Sequence, residues 1–130
     1  MPTLIFHGHA CVEVRGSAGA VIIDPFLSGN PQADIGPEDV KVDAILVSHA
    51  HSDHLGDAIE ISRLTGAVIV STFEVALYCQ QQGAAAVHPM HIGGQHSFNW
   101  GRVKLTPAFH GSSIPERGIW QLGTACGFLV

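Results

Sequence analysis

The chain has 130 residues, is 46% hydrophobic and only 13% charged, and carries a formal net charge of −5. This composition excludes a disordered chain, and the length suits one domain, 1–130. The acidic balance argues against a nucleic-acid partner. No apolar run approaches the roughly 20 residues needed to cross a bilayer, so no membrane association is expected.

Taken in order, the chain reads as short strands with two helices. Strands are expected over 3–7, 10–15 and 20–23, separated by Gly8 and by the GSAG turn at 16–19. A polar loop rich in Gly, Asn, Pro and Asp follows over 27–42. The apolar run 44–48 (AILVS) then reads as a strand buried on both faces. Residues 55–64 have helical spacing, with Asp53 able to cap and Gly66 as the stop. A strand over 67–71 leads to a second helix over 73–82, stopped by Gly83. The remainder returns to strands near 85–88 and over 95–99, 102–108 and 123–130. The fold class is α/β or α+β. The apolar end, Gly127-Phe128-Leu129-Val130, is expected to belong to something larger, because a solitary apolar end frays.

The opening residues, MPTLIFHGHA, lack a basic stretch followed by an apolar segment, so no secretory signal is expected. Cys11, Cys79 and Cys126 are odd in number and far apart. They read as small buried hydrophobes kept reduced in a cytoplasm, not as a disulfide framework or a cysteine metal site.

Nine histidines against six Lys plus Arg is the unusual balance. Five metal-capable side chains crowd into residues 48–57, SHAHSDHLGD: His49, His51, Asp53, His54 and Asp57. His49 and His51 lie at i and i+2 just past a buried strand, so an extended backbone aims both rings the same way. Asp53 and His54 follow as the chain turns into a helix and can face a second metal. Two metals about 3.5–4 Å apart can share one nucleophilic oxygen. Asp57 is expected to face solvent or to cap the helix. His7, His88, His91 and His96 have no motif around them and read as surface or hydrogen-bonded residues. Trp100 and Trp120 read as packing residues. No GxSxG elbow surrounds Ser112 or Ser113, which read as loop residues near the cleft.

The H-x-H-x-D-H stretch resembles the hallmark of the metallo-β-lactamase superfamily. GHACVEV, IDPFLSGNP, SHAHSDHLGDAIEIS and TPAFHGSSIP together resemble its UPF0173-type metal-dependent hydrolases. The resemblance implies the N-terminal half of an αββα sandwich, with a mixed β-sheet and two helices on one face. It implies His49, His51 and His110 as ligands of a first metal, and Asp53 and His54 as ligands of a second. Asp24 is implied as a buried carboxylate orienting the metal loop, and His9 as a substrate contact or a support for a ligand. Asp53 would also be catalytic, orienting the attacking hydroxide.

The family's bridging Asp and its last His ligand have no match in these 130 residues. The resemblance therefore implies a complementary C-terminal half, or a second copy of the chain, before a dinuclear site can close. The implied activity is hydrolysis by a metal-bound hydroxide of an ester, lactone or phosphoester in a small metabolite. Zinc is the default, manganese or iron would also suit the donors, and a complete site would hold two ions. The competing reading is a non-catalytic metal-binding or assembly subunit with an incomplete site. For the motif itself the bland alternative is a polar loop with Asp53 as helix cap.

Overall fold

A computed structural model describes residues 1–130. Three layers stack: helices, a six-stranded sheet and a three-stranded sheet. β1 (Thr3–Phe6), β2 (Val12–Arg15) and β3 (Ala20–Ile23) pair antiparallel with one another in chain order. β4 (Ala44–Leu46), β5 (Val68–Thr72) and β6 (Ala86–Met90) then continue from β3 in parallel, so the sheet is mixed, in the order β1-β2-β3-β4-β5-β6. β7 (Gln95–Phe98), β8 (Gly101–Pro107) and β9 (Cys126–Leu129) form the second, antiparallel sheet.

The register explains why the central strands are apolar throughout. Ile22, Ile45 and Ile69 lie side by side and face the helices, where they meet Ile61, Val75 and Cys79. Val21, Ala44, Leu46 and Val70 face the second sheet and pack on Val103, Leu105 and Cys126. Ile22, Ile45, Leu46 and Ile69 are all completely buried. Each burial contributes about 1.5–3 kcal/mol, which anchors the strand ends that carry the site. The second sheet does not cover the whole inner face. Leu4 and Phe6 on β1 sit opposite Val14 and Val12 and remain 71% and 64% exposed.

The expected helix over 55–64 is two helices, α1 (Ser52–Leu55) and α2 (Ala58–Thr65). Gly56 breaks it with φ 46° and ψ −124°, a conformation open to glycine alone. His51 occupies the N-cap position of α1 and Asp53 lies in the first turn, so Asp53 is not the cap. Asp57 stands at the N-cap position of α2 but makes no side-chain cap bond there, and it does not face solvent idly. Its Oδ2 accepts from the backbone N–H groups of Leu27 (3.0 Å) and Ser28 (2.8 Å), clamping the long β3–β4 loop to α2. α2 ends at Gly66 in the left-handed region, as expected, and α3 (Phe73–Gln81) buries Val75, Ala76, Tyr78 and Cys79.

Trp100 stacks on Phe98 with centroids 4.6 Å apart and packs against the inter-sheet core. Trp120 does not pack; it is 76% exposed. The three cysteines are free and buried, and burial pushes each thiol up to about 12. No helix is long and apolar enough to cross a membrane.

Candidate metal centre

The parallel strands β3 and β4 end at the same rim, and most of the chemistry-bearing residues leave from there. Asp24 directly follows β3, with an unusual positive φ of 46°. Ser48 and His49 leave the end of β4. His51, Asp53 and His54 enter α1, and His110 comes from the loop after β8. His9 sits in the β1–β2 turn, also at positive φ (56°).

The sequence scatters His49, His51 and His110 over 62 positions, and the fold gathers them. The His49 ring lies 4.7 Å from His51 and 4.7 Å from His110, and His51 lies 5.0 Å from His110, all edge to face. One ligand atom from each falls within 4.8 Å of the other two. A second trio, His9, Asp53 and His54, converges in the same sense. The two trios adjoin, with the His49 and His54 rings 4.2 Å apart.

Asp24 stands behind both trios. Its Oδ1 accepts from the Ser48 N–H (2.7 Å), and its Oδ2 accepts from the Ser48 hydroxyl (2.6 Å) and from His54 Nδ1 (2.8 Å). Having donated to the carboxylate, the Ser48 hydroxyl can only accept from His49 Nδ1, 2.8 Å away. Both rings thus carry their proton on Nδ1, and each Nε2 is left with a free lone pair. Ser48 is the working residue the motif conceals: it precedes the first histidine and reads in sequence as the last residue of a buried strand.

His49 Nε2 is buried and has no hydrogen-bond partner in the fold. An orphaned buried nitrogen is costly unless something binds it. Its position beside His51 and His110 fits a divalent metal, and a nitrogen and carboxylate donor set suits zinc, manganese or iron. Burial and the neighbouring histidine His54 hold the His49 imidazole down at about 4, so it stays neutral, as a ligand must. The hydrogen bond to Asp24 shifts His54 the other way, upward.

These opposed shifts make His49 and His54 contribute opposite limbs to the pH dependence of the metal-free chain's stability. His49 takes up its proton in the unfolded chain near its ordinary value of about 6.5, but in the folded chain only near 4. Stability therefore falls as pH drops through that window, with a slope approaching about 1.4 kcal/mol per unit. The His54 contribution is complete below about 6.5 and is lost as pH rises through its raised folded value. Urea midpoints measured in chelator at several pH values should show both limbs. His49→Gln should flatten the acid limb alone, and a flat acid limb in the wild type would sink this account.

Beyond the two trios, Ser112 is buried, donates to the Leu122 carbonyl (2.7 Å) and accepts from the Ala50 N–H (3.1 Å). It is a clasp between the loop that follows His110 and the His51 segment, not a nucleophile. His110, Ser112, Trp120, Gln121 and Thr124 line a cleft on that side. The other histidines stay apart from the site. His7 is buried between Asp34 and Glu13, and His88 pairs with His96 at 4.3 Å.

Comparison with known proteins accords with this geometry. A UPF0173 metal-dependent hydrolase of Desulfitobacterium hafniense (strain Y51) is 55% identical over 130 residues, covering 96% of this chain and 55% of the relative. A UPF0173 metal-dependent hydrolase of Bacillus cereus (strain B4264) is 54% identical over 127 residues, covering 95% of this chain and 56% of the relative. The chain thus spans little more than half the length of these relatives. Among solved structures, Igni18, a metallo hydrolase from Ignicoccus hospitalis, superposes with a TM-score of 0.83 at 30% identity, covering 98% of this chain and 54% of that one. An isothiocyanate hydrolase from Delia radicum gut bacteria superposes at 0.69 and 22% identity, over 98% of this chain and 57% of that one, and shows the fold alone. The sequence profile of the metallo-beta-lactamase superfamily matches residues 4–115, and the chain belongs to that superfamily.

Proposed function

We propose that this chain is the metal-holding half of a metal-dependent hydrolase acting on an ester, lactone or phosphoester bond of a small metabolite. The observation that carries the reading is His49 Nε2, buried, unpartnered and converging with His51 and His110. His49, His51 and His110 would hold one divalent ion, zinc by default, with manganese or iron as alternatives. Asp53 and His54 would hold a second. A bound metal would supply Lewis acidity and activate a water for attack.

The chain's own residues do the rest. Asp24 fixes the His54 ring directly and the His49 ring through Ser48. Asp53, 47% exposed at the opening, orients the attacking water and accepts its proton. The cleft beside His110 admits the substrate.

Two observations support completion by further protein, either a complementary C-terminal half or a second copy of the chain. The chain covers only about half of its relatives' length, and apolar Leu4 and Phe6 lie open on the inner sheet face. The three free, buried thiols support a reducing, cytoplasmic setting.

The test pairs metal analysis with a panel of aryl esters, lactones and phosphodiesters. The panel is assayed on the chain alone and after mixing with the C-terminal half of a UPF0173 relative. Chelator-sensitive turnover that appears or rises on mixing is the expected result. Tight metal uptake with no turnover in any pairing would replace the hydrolase by a non-catalytic assembly subunit.

A further inference from the structure

We propose that His9 is a direct ligand of the second metal, so that this chain alone provides three donors to each of two ions. The inference rests on the metal-centre reading above and adds a residue to it.

The β1–β2 turn holds His9 in a backbone conformation that side-chain-bearing residues seldom adopt. Gly8 and His9 are both left-handed, at φ 100° and 56°, and a non-glycine residue there is strained. Gly8 has no room for a side chain: an added Cβ would lie 2.9 Å from Gln32 Cβ and 3.1 Å from its carbonyl. The turn is closed by His7 N–H to the Cys11 carbonyl (2.9 Å) and Cys11 N–H to the Gly8 carbonyl (3.0 Å). Beneath it the buried His7 ring is gripped at both nitrogens, by Asp34 (2.6 Å) and Glu13 (3.2 Å), and Arg15 pairs with Glu13. A mobile surface histidine needs no such mounting.

The mounting directs the ring at the site. His9 stands edge-on to Phe26 and to His54, with centroids 5.7 and 5.2 Å away. Its Nε2 comes to 3.1 Å from Asp53 Oδ2. His54 Nε2 lies 4.0 Å from Asp53 Oδ1, and since His54 Nδ1 is engaged by Asp24, this second nitrogen is the one left to bind. Ligand atoms of all three residues fall within 4.8 Å of one another, the same criterion that His49, His51 and His110 meet. An exposed His–Asp contact by itself is worth little and does not repay a strained turn. A shared divalent ion does.

The test is metal stoichiometry, not turnover. The chain is dialysed against Co(II) and then Zn(II), and bound metal is measured by elemental analysis alongside the Co(II) visible spectrum. The wild type is expected to take up two equivalents. His9→Ala should keep the first, with an unchanged first-site spectrum that also reports an intact fold, and lose affinity for the second by more than about 100-fold. His9→Gln, whose amide can still donate to Asp53, should fail like alanine. Restored second-site affinity in His9→Gln would make His9 only a support for Asp53 and overturn the proposal. So would two undiminished equivalents in His9→Ala. One equivalent in the wild type would overturn this inference and leave the first site standing, whereas none would remove both. In the wild type the ring ¹⁵N resonances of His9 should shift with the second equivalent of Zn(II), and unmoved resonances would equally overturn it.

Discussion

Asp24→Ala is expected to lower metal affinity by about 10–100-fold and folding stability by about 2–4 kcal/mol. The carboxylate receives three hydrogen bonds, from the Ser48 N–H, the Ser48 hydroxyl and His54 Nδ1, in a site where Asp24 is only 5% exposed. Alanine leaves all three donors without their acceptor and frees both rings to turn or change tautomer. It also places a residue less tolerant than aspartate at φ 46°. Asp24→Asn keeps the size and the backbone tolerance but loses the charge, so it should fall between the two in both measurements. Urea unfolding in chelator gives the stability, and competition with a chromophoric chelator gives the affinity. An alanine variant within about 0.5 kcal/mol and twofold of wild type would show that the two rings are oriented by packing instead.

Much of this arrangement was legible in the amino-acid sequence, and for identifiable reasons. The β-structure shows because short apolar runs are bounded by Gly, Pro and Asp signals, and β3 falls on 20–23 as expected. The grouping of His49 with His51 shows because it is local. The approach of His110 to them rests on a distant pairing between the sheets, and the family resemblance alone suggested it. Local spacing could not show the break at Gly56, since Leu55, Ala58, Ile59 and Ile61 keep helical rhythm straight through it. Nor could it show the Asp57 clamp, whose partners lie 29 and 30 residues away. Trp120 departs from expectation because side-chain size suggests burial, while the loop that carries it leaves the ring in solvent. The sequence leaves His9 between substrate contact and support for a ligand, because nothing in a GHA tripeptide reveals a left-handed backbone.

Gly56→Ala is expected to be more damaging than its exposed position suggests. A Cβ there would lie 2.5 Å from the Pro25 carbonyl oxygen, 2.6 Å from Phe26 Cα and 2.8 Å from Phe26 N. All three are backbone atoms and cannot swing aside. The residue's φ of 46° and ψ of −124° add strain for any L side chain. Relief requires α1 to move away from the segment after β3, which breaks the hydrogen bond from Asp57 N–H to the Pro25 carbonyl (2.9 Å). The displaced helix carries Asp53 and His54, and the displaced segment carries Asp24. A loss of at least about 3 kcal/mol is expected, together with weaker binding of the ion held by Asp53 and His54. Leu64→Ala, at an exposed position on the neighbouring helix, serves as the control and should change stability by less than about 0.5 kcal/mol. Thermal unfolding of both variants with and without Zn(II) decides it, and a Gly56→Ala variant that melts with the wild type would refute the steric argument.

The position of His110 bears on how the molecule assembles. His49 and His51 leave the six-stranded sheet, whereas His110 belongs to the loop that leaves the three-stranded one. Apart from side-chain packing, the seam near this point is closed by Cys126 N–H to the Ser48 carbonyl (2.9 Å) and by the Ser112 clasp. An ion shared by the three rings would be a crosslink between two layers that are joined only after a long stretch of chain has been ordered. Such a crosslink cannot form early, because closing so long a loop costs entropy before any contact rewards it. An ion held there would therefore enter a nearly finished structure and slow its escape from the folded state, as a rivet set after the plates are aligned.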